Sequence, residues 1–448
     1  MKLRFLFALF SASAGLFISF QQVANAACVV PSYNQKRGIP PGFTEAQGFK
    51  GRFDFPASTS EPLPPFLSID FTQDWRAYVQ AVLDYSFEGN IAVDFDVADN
   101  NVRNWYHALW MHPGNSGREF LHGLTKERAT DPEQLAEGVT KSFDTWAVGF
   151  YNALGATTFA KVWNDPCSPK IDDIYFPIGT TTFKLLFTTA TATDIPYLAG
   201  APEWEGDIGR APNRIGKLHL YQIDIAVRDP RSLQTGWVFG TFVYQGSVPG
   251  TDPWKKLVPV GLSWGNDRFV PPPGQLRQNV LNETLEGKIY GWAGRKELGW
   301  GGRVNGPADN QISSCVSCHG SAQYPRSDDF GNLPRQPATP VDYQRRLLEY
   351  FRDIFAGGVF DGESRYFGTQ TAVLARPLDY SLQLQVGIER MCATVTAREA
   401  PFNDGTVPVP PVCPTPPAVV AGGPESLSTG PALADRDDTI DALLEPIR

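Results

Sequence analysis

The chain has 448 residues, with 39 Lys and Arg against 48 Asp and Glu, for a formal net charge of −9. That acidic balance argues against nucleic acid and anionic lipid as partners and suits a basic protein partner. The 42 glycines, 38 prolines, 11 tryptophans and 29 phenylalanines indicate a loop-rich globular protein with substantial β content, long enough for two or three domains.

Residues 1–26 read as an export signal. Lys2 and Arg4 precede an apolar run from Phe5 to Phe20, and Ala24-Asn25-Ala26 forms a small-residue cleavage site. The run is shorter than the roughly 20 residues a membrane span needs. Cleavage before Ala27 leaves 37 basic residues against 48 acidic ones, a net −11, on a soluble chain expected in the periplasm. Asn25 stands where a lipoprotein signal carries Leu, which argues against lipid anchoring at Cys28.

Residues 27–135 form an N-terminal helical and irregular region. Within it Trp75, Tyr78, Val79, Val82 and Leu83 have the spacing of one helix face behind Thr72 as N-cap. A second helix is expected over about 132–153. Residues 136–330 read as a β-rich domain. Phe183, Leu185 and Phe187 alternate, as do His219, Tyr221, Ile223, Ile225 and Val227, and "TGWVFGTFVY" and "KLVPVGLSW" supply two more apolar runs. Period-2 runs bounded by Gly, Pro and Asp predict at least four antiparallel strands. The Gly-rich stretch 268–314 is too irregular for helix or sheet and is expected to wrap a cofactor. Residues 331–400 hold two helices, one starting at Thr339-Pro340 and one over about 380–397. Residues 401–448 read as a Pro-rich, mostly disordered tail. The fold class expected is α+β, an antiparallel sheet core packed with helices, with the key motif on a loop after the sheet.

That motif is Cys315-Val316-Ser317-Cys318-His319, within "NGPADNQISSCVSCHGSAQYP". C-x-x-C-H is the attachment signal for a c-type haem. Each thiol adds across one haem vinyl group to make a thioether, and the adjacent histidine becomes the proximal iron ligand. A zinc site would need two further Cys or His ligands at short spacing, and none lie close by. A thioredoxin-like pair would need a strand-to-helix context that does not precede these cysteines. One motif predicts one covalent haem c. The other four cysteines, Cys28, Cys167, Cys392 and Cys413, predict two disulfides in an oxidising compartment. Their pairing stays open, with Cys392–Cys413 as the local option.

The sixth iron ligand decides between carrier and enzyme. Met111, His107, His112 and His122 crowd into "NWYHALWMHPGNSGREFLHGLTKER" beside Trp105, Trp110 and Phe120, so Met111 or His112 is the candidate distal ligand. Met391 and His219 are the remaining Met and His of the mature chain, His219 lying on the apolar face of a strand. A separate metal site at His107, His112 and His122 matches no zinc template. Arg295, Arg303 and Arg326 are candidates to pair with haem propionates. Tyr106 and Lys184 are further candidates to face the haem.

Residues of about 145–325 resemble the cytochrome P460 and cytochrome c′-beta group. "FPIGTTTFKLLFTTA" is similar to its Pro-x-Gly strand entry, "TGWVFGTFVY" to its late aromatic strand and "SCVSCHGSAQ" to its terminal haem motif. The resemblance implies an antiparallel sheet packed on helices, a five-coordinate haem with an open distal face, and a homodimer. It also implies a lysine cross-linked to the haem, for which Lys184 is the matching strand lysine. The chain departs from that group in its length and in the some 70 residues between the aromatic strand and Cys315. As a whole it resembles exported monohaem c-type cytochromes.

Three functions follow. An electron carrier needs a closed, six-coordinate iron. An oxidoreductase or sensor for a small nitrogen oxide, hydroxylamine or peroxide needs an open iron and polar groups to handle protons. A binding protein would use the haem structurally. The expected function is electron transfer in the periplasm with a basic redox partner, and the P460-like haem enzyme is the alternative. The sequence names no catalytic residue.

Overall fold

The computed structural model describes residues 30–111, 117–210, 212–270, 274–326, 339–359, 364–365, 372–395 and 412–414. The expected export signal and nearly all of the 401–448 tail lie outside the described residues, as does His112. The architecture is α+β, built on a nine-stranded antiparallel sheet.

The first helix, α1, runs Trp75–Phe87. Its N-cap is Asp74, which accepts from Ala77 N at 3.0 Å. Thr72 does not cap it, because its hydroxyl and amide both bond the Asp70 carboxylate. Short strands β1 (Trp105–Tyr106) and β2 (Thr125–Lys126) both pair with β3, Thr145–Asn152. Of the stretch 132–153 expected to be helical, 132–144 are turns and irregular chain and 145–152 are strand. All eight residues of β3 are buried, so no alternation marked it, and Asn152 then caps α2, Ala153–Val162. Asn152 Oδ1 accepts from Gly155 N at 3.0 Å and from Thr181 N at 3.1 Å, stitching helix start to neighbouring strand.

The sheet continues through β4 (Thr181–Thr188), β5 (Glu203–Arg210), β6 (Asn213–Arg228), β7 (Trp237–Tyr244), β8 (Leu257–Ser263) and β9 (Asn279–Leu281). Its order is β1-β3-β4-β6-β7-β8-β9, with β5 hydrogen-bonded to β6. The register shifts between Leu186 and Phe187 opposite β6, leaving Tyr221 as the extra residue. Alternation therefore changes phase there: Leu218 and Leu220 join the face of Ile223 and Ile225. His219 leaves that apolar face, and its Nε2 sits 3.2 Å from Glu203 Oε2.

One face carries Phe150, Phe183, Ile225 and Val238, covered by α1 and by Phe66, Phe95 and Val97. The other carries Tyr151, Ala226, Trp237 and Phe239. After β9 come α3 (Cys315–Gly320), β10 (Gln323–Tyr324), α4 (Pro340–Tyr350) and a short ladder of β11 (Ser364–Arg365) with β12 (Ala372–Val373). Strand β13 (Arg376–Pro377) pairs with β10, and α5 covers Leu382–Val395. Val316, Tyr350, Phe351, Leu384 and Ile388 from these elements pack on the second face. Cys392 and Cys413 are disulfide-bonded, and Cys167 is disulfide-bonded to a partner outside the described residues.

Candidate functional site

The C-x-x-C-H motif lies on the short helix α3 rather than on a loop, because Ser314 caps it. Ser314 Oγ accepts from Ser317 N at 3.1 Å and donates to Asn266 Oδ1 at 2.8 Å. Ser317 Oγ donates to the same oxygen at 2.7 Å. Asn266 is itself held by Asp353 Oδ1, which accepts its amide at 2.7 Å. Val316, Ser317 and Gly320 are buried, whereas Cys315, Cys318 and His319 keep partial exposure. One helical turn thus anchors its back and presents two thiols and an imidazole together.

Both thiols are free. Burial, reinforced by Asp309 and Asp224, pushes Cys315 well above a thiol's ordinary value, and burial with Asp309 pushes Cys318 up to about 12. His319 Nδ1 lies 3.0 Å from the Tyr380 carbonyl. A carbonyl only accepts, so Nδ1 carries the proton and Nε2 keeps the lone pair. Burial lowers His319 to about 4, so the ring is neutral. Its ring sits 4.8 Å from that of Phe239 on β7. The carbonyl is aimed by a strained turn: Asp379 and Tyr380 have φ of 44° and 66°. Asp379 anchors the turn by accepting from Phe176 N at 2.8 Å and Trp237 Nε1 at 3.2 Å.

Beside the motif, the sheet face changes from apolar to charged. Gly149, Lys184, Asp224 and Thr241 are register partners across β3, β4, β6 and β7. Thr241 Oγ1 donates to Asp224 Oδ1 at 2.9 Å, and Gln222 Nε2 reaches both Asp224 Oδ1 at 2.7 Å and Asp309 Oδ2 at 2.8 Å. Lys184 Nζ is 3.4 Å from Glu127 Oε1. Burial disfavours the Lys184 charge, but Glu127, Asp224 and Asp309 outweigh it and raise its affinity for a proton. Burial and the neighbouring Asp309 push Asp224 up to about 7. Over Gly149 lies Gln383 of α5. A Cβ at position 149 would come within 2.3 Å of Gln383 Nε2, and Gln383 Oε1 is buried without a partner.

The structure separates the group read as crowded in sequence. His107 packs against Phe150 and His122 stacks on Trp204, both on the sheet face opposite Phe239 and His319. Met111 joins the apolar cluster that includes Val316 and Met391, and its carbonyl accepts from Arg390 Nη1 at 2.5 Å. Tyr106 packs on Ala153, Ala156 and Phe55. Two of the three arginines are fully used within the protein. Arg295 bonds Glu297 Oε1 at 3.0 Å, the Tyr244 carbonyl and Gln245. Arg303 donates to the carbonyls of Asn266 at 2.6 Å and Asp267 at 3.0 Å, so it braces the Asn266 loop under α3. Arg326 Nε lies 3.6 Å from Glu389. From the Gly-rich stretch, Trp300, Arg303, Val304, Asp309 and Ser314 all reach the motif's surroundings.

Asp224, Asp309, Glu127, Gln383 and Asn266 were missed by sequence reasoning. The available signal was "QIDIAV", in which Gln222 and Asp224 interrupt an apolar strand at alternate positions. Compared with family models, curated proteins and solved structures, the chain matches none.

Proposed function

We propose that the chain is an exported monohaem c-type cytochrome that transfers electrons. Cys315 and Cys318 would hold the porphyrin through thioethers, and His319 Nε2 would ligate the iron. The observation that carries this reading is the arrangement on α3. Two free thiols and a neutral imidazole share one turn, with Nδ1 engaged by Tyr380 and Nε2 left as the donor nitrogen. The unpartnered Gln383 Oε1 and the partial exposure of all three side chains fit a polar-edged group seated there. The haem would supply a one-electron couple. The chain's own residues fix the ligand's tautomer and set a buried charged row beside it. The acidic net charge supports a basic redox partner, the resemblance supports a homodimer, and the leader supports the periplasm. Among the described residues, no helix is long and apolar enough to cross a membrane.

A second reading is favoured by one observation. Lys184 and Asp309 stand beside Cys318, and Asp224, a carboxylate poised at about 7, beside Cys315. Such groups can hold or deliver a proton, as a P460-like oxidoreductase or sensor for a small nitrogen oxide, hydroxylamine or peroxide requires. Optical and EPR spectra of the ferric and ferrous protein, with and without NO or CO, separate the two. A low-spin spectrum unmoved by the gases supports the carrier. A high-spin iron that binds them at once overturns it in favour of the enzyme. Substituting Met111 and His112 separately then tests the distal ligand: a spectrum unchanged in both variants removes both residues from that role.

A further inference from the structure

On the sheet face away from the C-x-x-C-H motif lies a recess of about 170 Å³. Its walls include four aromatic rings, those of Phe49, Phe95, Phe150 and Trp204. Its polar lining comes from Asp94, Asp96, His107 and His122, with the exposed Gln47 and Lys50 at the rim. The volume is close to the roughly 150 Å³ of a cavity that holds benzene, so it suits a ligand of about six to eight heavy atoms.

Two of the polar side chains are satisfied. His122 stacks on the Trp204 indole at 4.4 Å with the planes 5° apart, and its Nδ1 lies 2.9 Å from the Glu205 carbonyl. Asp94 accepts from Trp204 Nε1 at 2.9 Å and sits 3.7 Å from His122 Nε2, so its charge is already matched. The other two each leave one buried atom unpaired, although the Ala98 backbone and the charge of Lys50 act on the Asp96 carboxylate. His107 is 2 % exposed, and its Nδ1 has no hydrogen-bond partner. The ring bonds the Gly149 carbonyl through its other nitrogen, which leaves Nδ1 as an acceptor. Asp96 Oδ1 is likewise buried without a partner. Arg118 and Lys50 act on His107 and Asp96 through their charges, yet neither bonds the two orphan atoms. Buried polar atoms are ordinarily paired, so two unbonded acceptors in one recess leave room for a ligand's donors.

The backbone at this wall is also strained. Asp94 and Phe95 adopt φ of 48° and 61°, a left-handed conformation unusual for consecutive non-glycine residues. That turn sets Phe95 and Asp96 against the recess, and strain of this kind gathers at ligand clamps.

We propose that this recess binds a small organic ammonium ion, its N–H groups bonded to Asp96 Oδ1 and His107 Nδ1 and its carbon body held by the aromatic walls. A carboxylate, a lone-pair nitrogen and several ring faces together favour a cation that carries donors. An anion would meet Asp94 and Asp96, and a neutral apolar molecule would leave both acceptors unpaired. The site stands on the sheet face opposite His319 and does not depend on the haem reading.

Calorimetric titration of the full mature chain with cyclohexylammonium, and in parallel with its neutral isostere cyclohexanol, tests the proposal. The ammonium is expected to bind saturably and at least about tenfold more tightly than the alcohol, the worth of one charge-assisted hydrogen bond. Asp96→Asn, with an unchanged circular dichroism spectrum, is expected to weaken the ammonium at least about tenfold and to leave the alcohol unmoved. Absence of saturable binding, or equal affinity for ammonium and alcohol, overturns the assignment. The wild-type comparison needs no variant to fold. Undiminished ammonium binding by a folded Asp96→Asn variant also overturns it.

Discussion

Two serine hydroxyls share one acceptor beneath the motif, Asn266 Oδ1, and both serines are buried. Asn266→Ala strands both hydroxyls, at about 1–3 kcal/mol for each buried group left unpaired. The expected loss is about 2–4 kcal/mol in urea unfolding, with a larger fraction of Cys315 and Cys318 left unmodified. A variant as stable as the parent would contradict this role for Asn266. Asp353, which holds Asn266 from behind, carries a pH signature. Burial lifts its carboxyl to about 6, above the ordinary carboxylate value. Between those two values the folded chain binds more protons than the unfolded one. The contribution of Asp353 is therefore full at low pH and is lost as pH rises through about 6. Asp353→Asn should flatten that part of the profile of unfolding free energy against pH, by at most about 3 kcal/mol. Parallel profiles for variant and parent would refute it. At this scale the motif was legible because its chemistry is local: three residues on one turn. The charged row was not, since Lys184, Asp224 and Thr241 meet only through strand register.

Among the elements, α1 and the strands β4, β6, β7 and β8 could be read from period. Strand β3 could not, because it is buried on both faces and shows no alternation to distinguish it from helix. The phase change at Tyr221 likewise hid the true environment of His219, since a bulge leaves no mark in composition. The histidines of 107–122 show the commonest limit: closeness along the chain says nothing of which sheet face a residue takes. Asn152 is where sheet and helix are joined. It caps α2, accepts from Thr181 N and donates through Nδ2 to the Gly179 carbonyl at 3.0 Å. Asn152→Ala should cost about 2–4 kcal/mol, more than the roughly 1 kcal/mol of a simple cap, because buried strand groups lose partners too. Chemical denaturation giving a cap-sized loss alone would limit Asn152 to the helix.

The whole molecule is a sheet with an apolar layer on each face, interrupted on one face by the Lys184–Asp224–Thr241 row beside α3. The Cys392–Cys413 disulfide ties residues 412–414 to α5, which packs over that same face. Its 21-residue separation predicts about 3 kcal/mol of stabilisation through restriction of the unfolded chain. Reductant, or Cys413→Ser, should lower the thermal midpoint, and an unchanged midpoint would show the bridge to be dispensable. Chain-wide order was legible as α+β from the strand pattern, but the nine-strand extent was not: β1, β2 and β9 are two- or three-residue segments, β3 is buried throughout, and β5 is a polar, Gly-containing strand with one large apolar pair, Trp204 and Ile208. The central claim, that α3 carries a covalent haem, is tested most directly by intact-mass spectrometry of the mature protein expressed with the haem-attachment machinery. The expected mass is that of the polypeptide plus one haem, lost as a covalent adduct when Cys315 and Cys318 are both replaced by Ser. A polypeptide mass with two alkylatable thiols at Cys315 and Cys318 would contradict the account.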